Sequence, residues 1–171
     1  MRLMPNTNSS FLEGEMQEKV AAYFANQTFI PSDLYLPRIV PKVYREVRIP
    51  QINRISDVVI YITDRKIVNI ECKLSDYNSV FKQAKDHLQW ADYSYMCLPP
   101  DNYLPAYILD KMITHGIGLL FWTPDFFVEV LQSGHNKNKD KALRKLVIDR
   151  LKKRQQIITG KKEEESQLEI F

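Results

Sequence analysis

The sequence predicts an α/β domain in which a central mixed sheet is flanked by helices. The chain has 171 residues, of which 44% are hydrophobic and 26% are charged, and this size and composition are typical of one globular domain. Apolar residues recur at helical spacing in some segments and form short strand-like runs in others. Helical and strand-like segments therefore alternate along the chain, which is the pattern of an α/β sandwich.

The predicted elements follow the order helix, three strands, helix, strand, helix, strand, and strand character resumes after Pro124. The first helix begins at the capping residues Asn8-Ser9-Ser10. The elements after it are strands at Val43 to Ile49, Val58 to Ile62 and Ile67 to Leu74, a helix at Asp76 to Trp90, a strand at Tyr93 to Leu98, a helix at Ala106 to Thr114, and strands at Gly118 to Trp122 and Phe126 to Leu131.

We expect three parts along the chain: a core over residues 1–132, a basic amphipathic helix within 133–160, and a flexible tail over 161–171. In the second part, basic residues alternate with the apolar residues Leu143, Leu146, Val147 and Leu151. That stripe predicts a helix that packs on the core with a basic outer face. The basic face either contacts a nucleic-acid backbone or is simply solvated, and the sequence leaves both alternatives open.

The composition predicts a cytoplasmic protein. Cys72 and Cys97 both lie in apolar runs, which indicates buried thiols in a reducing compartment. The sequence starts without the apolar region of a signal peptide, and no apolar run approaches the roughly 18 residues that span a bilayer. The net charge of +3 permits a polyanionic partner without requiring one.

The residues that indicate chemistry lie on the second and third predicted strands. Asp57 begins one, and Glu71 and Lys73 end the other on the same face, because side chains two apart in a strand point the same way. With a hairpin turn near Arg65, we expect Asp57 to lie opposite Lys73, and Val59 opposite Glu71. The other face of the third strand is apolar, with Val68, Ile70, Cys72 and Leu74.

Two carboxylates beside an ammonium group are costly unless something compensates their charge, and a divalent metal would do so. Oxygen ligands from Asp57, Glu71 and the Cys72 carbonyl suit Mg²⁺. Such a metal lowers the pKa of a water molecule and stabilises charge on a phosphate, while Lys73 orients that water. The ordinary alternative is a solvated strand edge, since Glu-x-Lys triplets also arise by chance. The apolar strand, the preceding Asp and the following helix favour the functional interpretation.

The segment from Val43 to Pro99 resembles the core of the PD-(D/E)XK nuclease superfamily, which has the restriction-endonuclease-like αβββαβ fold. The resemblance implies that Asp57 and Glu71 bind Mg²⁺ or Mn²⁺ and that Lys73 is catalytic. Ser56 stands where the family usually has Pro.

The same resemblance implies two further site residues. Members often place a Gln near the active centre on the helix after the ExK triplet, and Gln83 fits that position, while Gln89 is similar to a pattern of the RecB-like branch. Many members also use an acid from the first helix, where Glu13 lies nearer the apolar face than Glu15 or Glu18. Each of these is alternatively a solvated helix residue.

The last five residues, Gln167-Leu168-Glu169-Ile170-Phe171, resemble the short peptide by which bacterial replication and repair proteins bind the β sliding clamp. Leu168, Ile170 and Phe171 would fill apolar subsites, and Gln167 would supply hydrogen bonds. Residues 161–166 would serve as a solvated tether. The alternative is that Ile170 and Phe171 fold back onto the core.

Other polar residues give weaker signals. The histidines are isolated in sequence and lack zinc-ligand spacing; they are His87, His115 and His135. Three arginines near the expected site bind phosphate or pair with nearby acids; they are Arg45, Arg48 and Arg54.

These patterns together predict a hydrolase that cleaves DNA phosphodiester bonds with Mg²⁺ or Mn²⁺, in repair, recombination or replication. Two alternatives remain: a catalytically silent module of the same fold that binds DNA or regulates a partner, and a restriction endonuclease. RNA as a substrate, endo or exo cleavage and the oligomeric state stay open.

Overall fold

A six-stranded mixed sheet with four α-helices organises the part of the chain that the computed structural model describes, residues 9–26, 40–100, 104–123 and 127–154. The elements in chain order are α1 (Ser9–Ala25), β1 (Lys42–Ile49), a short 3-10 turn (Pro50–Ile52), β2 (Arg54–Thr63), β3 (Lys66–Cys72), α2 (Tyr77–His87), β4 (Tyr93–Leu98), α3 (Ala106–His115), β5 (Gly118–Trp122), β6 (Phe127–Leu131) and α4 (Lys141–Lys153). The predicted α/β class and element order are confirmed.

The strands lie in the sheet in the same order as in the chain. β1, β2 and β3 form an antiparallel meander, β3, β4 and β5 run parallel, and β6 is antiparallel to β5. The parallel pairs need crossover connections, which α2 and α3 supply. These two helices contact each other and share one apolar cluster with β4 and β5.

Helices cover both faces of the sheet. On one face, α1 buries Met16 and Val20 against Ile60 and Ile70, in a cluster that also contains Cys72 and Cys97. On the other face, α2 and α3 pack on β4 and β5, and Leu143, Val147 and Leu151 of α4 join a separate cluster with β1 and Trp90. Leu146 is an exception to the predicted stripe, because its side chain is 51% exposed and faces away from the core.

The register between β2 and β3 differs from the prediction by two residues. Val58 lies opposite Ile70 and Val59 opposite Asn69, so the same register continued by one residue places Asp57 opposite Glu71. The predicted pairing of Asp57 with Lys73, and of Val59 with Glu71, was wrong.

The position of the turn and a bulge each account for one residue of this difference. The hairpin turn is formed by Asp64 and Arg65, and Thr63 pairs with Lys66, but the register shifts between Tyr61 and Thr63 and leaves Ile62 without a partner on β3. An extra residue on one strand of an antiparallel pair displaces all the pairs beyond it. The strand pattern alone gives no sign of such an insertion.

β1 contains a second irregularity, at Glu46, whose φ of 51° lies in the left-handed region. The change of backbone direction lets Val43 join the α1 cluster while Val47 and Ile49 join the α4 cluster on the other face. In the β1–β2 register Glu46 lies opposite Asp57, but these two residues do not form a β-ladder pair.

Element boundaries depart from the prediction by a few residues. α2 is shorter than expected: it begins after the capping residue Asp76, whose side chain accepts a hydrogen bond from the Ser79 amide, and it ends at His87. β3 ends at Cys72, so that Lys73 follows the strand. No helix in the described ranges is long and apolar enough to cross a membrane.

Candidate metal centre

Asp57 lies where the β-ladder is interrupted on both sides, opposite Glu46 on β1 and opposite Glu71 on β3. Its Oδ2 atom accepts a hydrogen bond from the Cys72 backbone N–H at 2.9 Å. The side chain therefore takes the place that a strand carbonyl would otherwise occupy. This contact turns the carboxyl group of Asp57 toward the end of β3, where Glu71 and Lys73 lie.

Glu71 is 1% exposed and belongs to a buried polar group with α2. Its Oε1 atom lies 3.2 Å from Nε2 of His87, and neither atom has a well-aligned hydrogen bond within the described residues. The other ring nitrogen, Nδ1, accepts a hydrogen bond from Nε1 of Trp90 at 3.0 Å. Because Nδ1 acts as the acceptor, the neutral His87 ring carries its hydrogen on Nε2, facing Glu71.

Lys73, directly after β3, and Glu13, on α1, also join the site. Nζ of Lys73 lies 2.8 Å from Oε1 of Glu13, and both side chains are partly buried, at 28% and 22% exposure. Glu13 also raises the pKa of Asp57 through its charge, which places it near that carboxyl group. The two other acids of α1 are elsewhere: Glu15 pairs with Lys19, and Glu18 is exposed.

A cleft of about 560 Å³ opens beside Asp57. Its lining residues come from β1, β2, the turn between them and α2; they are Glu46, Arg48, Asn53, Arg54, Ile55, Asp57 and Gln83. Arg54 is held by Asp86 at 2.7 Å. Glu71 does not line the cleft.

The electrostatics of the two carboxyl groups are unusual. Burial, followed by the neighbouring charge of Glu71, raises the pKa of Asp57 to about 7, although the Cys72 N–H opposes this shift. Burial raises the pKa of Glu71 to about 8 against the opposing hydrogen bonds from Asp57 and Asn69. Burial lowers the pKa of His87 to about 4, so this histidine is neutral at physiological pH.

Lys73 keeps its positive charge in this setting. The hydrogen bond to Glu13 raises the pKa of Lys73, despite the opposing effect of burial. The site at neutral pH thus combines one fixed cation with two carboxyl groups that are reluctant to ionise together.

The structure brings together most of the residues predicted for the site. Asp57, Glu71, Lys73 and Glu13 meet at the end of β3, and Gln83 faces the adjoining cleft. Gln89 is exposed and follows α2. The clamp-binding residues fall outside the described residues; they are Gln167, Leu168, Ile170 and Phe171.

His87 is a site residue that the sequence analysis missed. Although His87 is isolated in sequence, its ring is fully buried and contacts Glu71 and Trp90. A signal was present: Val80, Ala84 and His87 recur at helical spacing and share the buried face of α2. Histidine on such a face indicates a buried polar partner.

The donor set fits a small divalent cation. Within the described residues, no three His, Cys, Asp or Glu side chains form a complete ligand cage. Mg²⁺ does not need one, because it is commonly held by one or two carboxylates and keeps several waters. Glu71 Oε1 is a buried carboxyl oxygen without a well-aligned partner, and a cation would satisfy it.

Comparison with known proteins adds little to this description. No protein-family model matches the chain, and no curated protein matches it. A solved structure of a protein of unknown function from Silicibacter pomeroyi is similar, with 23% identity over 64% of this chain and 70% of that chain and a TM-score of 0.47.

Proposed function

We propose that the chain is a metal-dependent nuclease that hydrolyses DNA phosphodiester bonds with Mg²⁺ or Mn²⁺, in DNA repair, recombination or replication. The observation that carries the proposal is the pair of carboxyl groups at Asp57 and Glu71. They stand opposite each other on neighbouring strands, and each has a raised pKa. A divalent cation would make both anions favourable, whereas the charges of Lys73 and Arg54 lower the pKa of Glu71 by less than burial raises it.

The cation would be held by Asp57 and Glu71, with the Cys72 carbonyl as a further oxygen ligand. When bound, it lowers the pKa of a water molecule and offsets charge on the phosphate. Asp57 lines the cleft, so its carboxylate is the ligand nearest to an entering substrate. Glu71 lies deeper, with its Oε1 atom 3.2 Å from Nε2 of His87.

Lys73 supplies a positive charge at the place where negative charge develops. Glu13 holds the ammonium group in position and keeps it protonated. We assign to Lys73 the orientation of the attacking water and the stabilisation of the phosphate in the transition state. Gln83 lines the same cleft, where its side-chain amide can donate a hydrogen bond to a phosphate oxygen.

A cleavage panel tests the proposal. Single-stranded, duplex, flap and junction DNA, with an RNA strand beside them, are incubated with Mg²⁺, Mn²⁺ or EDTA. We expect cleavage of at least one DNA substrate with metal, none with EDTA, and a loss of roughly a hundredfold or more in Glu71→Gln and Lys73→Ala. Glu18→Gln is the matched control, because Glu18 lies exposed on α1. Activity that is equal in all four proteins would exclude this site as the catalytic centre.

The alternative is a catalytically silent module of the same fold that binds DNA or regulates a partner. The burial of Glu71 favours it, because this side chain is 1% exposed and does not line the cleft. Calorimetric titration with Mn²⁺ separates the two functions. A nuclease binds the ion, and Asp57→Asn weakens that binding. DNA binding without any measurable Mn²⁺ binding would favour the silent module.

We propose the β sliding clamp as a partner through the C-terminal residues Gln167, Leu168, Ile170 and Phe171. A flexible tail of this kind raises the local concentration of the enzyme on DNA without tight binding by the domain itself. The test compares the affinity of the clamp for the full chain and for a chain lacking Ile170 and Phe171. Equal affinities would remove the clamp from the list of partners.

A further inference from the structure

The last turn of α4 is attached to the wall of the cleft. Nη1 of Arg150 donates a hydrogen bond to the backbone oxygen of Arg48 at 2.6 Å, and Nη1 of Arg154 donates one to the backbone oxygen of Glu46 at 3.0 Å. Arg48 and Glu46 both line the cleft beside Asp57. The basic end of α4 is therefore continuous with the candidate metal centre.

The positive charge of this region has little compensation. The segment from Lys141 to Arg154 contains seven basic residues and one acidic residue, whereas the whole chain has a net charge of +3. The rest of the chain is therefore net negative, and its positive charge is concentrated on α4.

Two of the basic residues of α4 are used in ion pairs. Arg144 binds the buried Asp92 at 2.7 Å, and Lys152 lies 3.6 Å from Asp64. Arg150 and Arg154 instead donate to neutral carbonyl oxygens, which leaves their charge unbalanced and several N–H groups available. Within the described ranges, the exposed Lys153 has no ion-pair partner.

We propose that Arg48, Arg150, Lys153 and Arg154, here called the α4 basic surface, bind the phosphate backbone of duplex DNA beside the cleft. This inference rests on the proposed nuclease function and names how its substrate is held. A groove between β1 and α4 is lined by Arg48, Leu146 and Arg150, so the basic side chains of the strand and of the helix meet there.

The dimensions of the α4 basic surface fit a duplex. From Arg150 to Arg154 the helix rises about 6 Å, and one DNA strand presents a phosphate about every 3.4 Å along the duplex axis. The helix thus spans about two phosphates, and Arg48 adds a contact between them and the cleft. Contacts of this kind hold the duplex in place without selecting a sequence.

The test measures binding of a short labelled DNA duplex of mixed sequence in EDTA, where cleavage does not interfere, over a range of salt concentrations. For Arg150→Ala/Lys153→Ala we expect weaker binding to every sequence. The slope of the logarithm of the binding constant against the logarithm of the salt concentration should also be smaller in magnitude by roughly 2, because each lost phosphate contact removes about 0.9 from it. Lys85→Ala/Lys111→Ala removes the same charge from exposed positions on α2 and α3 and should leave the slope unchanged. Circular dichroism verifies folding.

Arg150 also contacts β1, so its substitution could disturb packing as well as remove a charge. Lys153→Ala alone avoids this effect, and we expect it to decrease the slope by about 1. Equal slopes in the wild type and in the folded α4 variants would overturn the proposal. So would a loss of binding to vesicles of anionic lipid with no change for DNA, since this would identify a membrane as the partner.

The cleavage panel keeps the two proposals distinguishable. If the wild type cleaves DNA but the α4 variants have the same salt dependence as the wild type, only the proposal for the α4 basic surface is refuted. If the wild type does not cleave DNA but its binding to duplex depends on Lys153, only the nuclease proposal is refuted.

Discussion

Glu71 makes the stability of the metal-free protein depend on pH. Burial raises its pKa to about 8 in the folded protein, from the ordinary value of 4.5 that applies to the unfolded chain. Between these two values the folded protein holds a proton that the unfolded chain releases. The free energy of unfolding therefore falls as the pH rises from about 4.5 to about 8. The gap between the two pKa values corresponds to a loss of roughly 5 kcal/mol at most.

The substitution Glu71→Gln removes this loss. Glutamine keeps a side-chain oxygen and nearly the same shape, but it has no charge to bury. We expect the wild type and Glu71→Gln to differ by less than about 1 kcal/mol at pH 5. At pH 8 in EDTA, Glu71→Gln should be more stable by roughly 2–5 kcal/mol, which for a domain of this size raises Tm by at least about 5 °C.

Thermal unfolding followed by circular dichroism at pH 5 and pH 8, with EDTA or with excess Mg²⁺, measures these differences. Mg²⁺ should raise the Tm of the wild type at pH 8 and leave that of Glu71→Gln nearly unchanged, because a ligand stabilises only the state that binds it. Glu18→Gln serves as the exposed control. A Glu71→Gln protein that is less stable than the wild type at pH 8 in EDTA would refute the assignment of a costly charge at this position.

Three further substitutions test other parts of the structure. Asp92→Asn should cost roughly 3–5 kcal/mol in urea denaturation, since the 1% exposed Asp92 carboxylate anchors two cationic side chains, one of them from α4. Gly118→Ala should destabilise by at least about 1–3 kcal/mol, because the new methyl group would overlap a tyrosine ring, whereas Gly14→Ala meets nothing within 4 Å and should gain up to about 1 kcal/mol. Trp90→Phe should leave His87 as a mixture of neutral tautomers in nitrogen-15 NMR spectra, and an unchanged single tautomer would contradict the hydrogen bond to Nδ1.

Local patterns were sufficient to predict the element order. Apolar alternation and helical spacing act over a few residues, so β4 and β5 lie where the sequence placed them, from Tyr93 to Leu98 and from Gly118 to Trp122. These features are decided by residues that are close together in the sequence.

The contacts of the site depend on tertiary structure instead. The position of Asp57 opposite Glu71 results from an unpaired residue at Ile62, which no local pattern reveals. The contact between His87 and Glu71 requires α2 to pack across β3, and that packing is decided by the apolar clusters of the whole sheet. Sequence reasoning therefore selected the charged residues of the site but not their partners.

The unpaired Ile62 also limits which insertions and deletions the β2–β3 hairpin can accept. Without the extra residue at Ile62, the register set by the Thr63–Lys66 pair would place Asp57 opposite Cys72 instead of Glu71. Single-residue insertions or deletions in the hairpin, far from the cleft and exposed to solvent, should for this reason be as damaging to activity as substitutions among the ligands themselves. Relatives that keep this arrangement of Asp57 and Glu71 should then vary freely in the loops before β1 and after β5 while keeping the length of this hairpin constant.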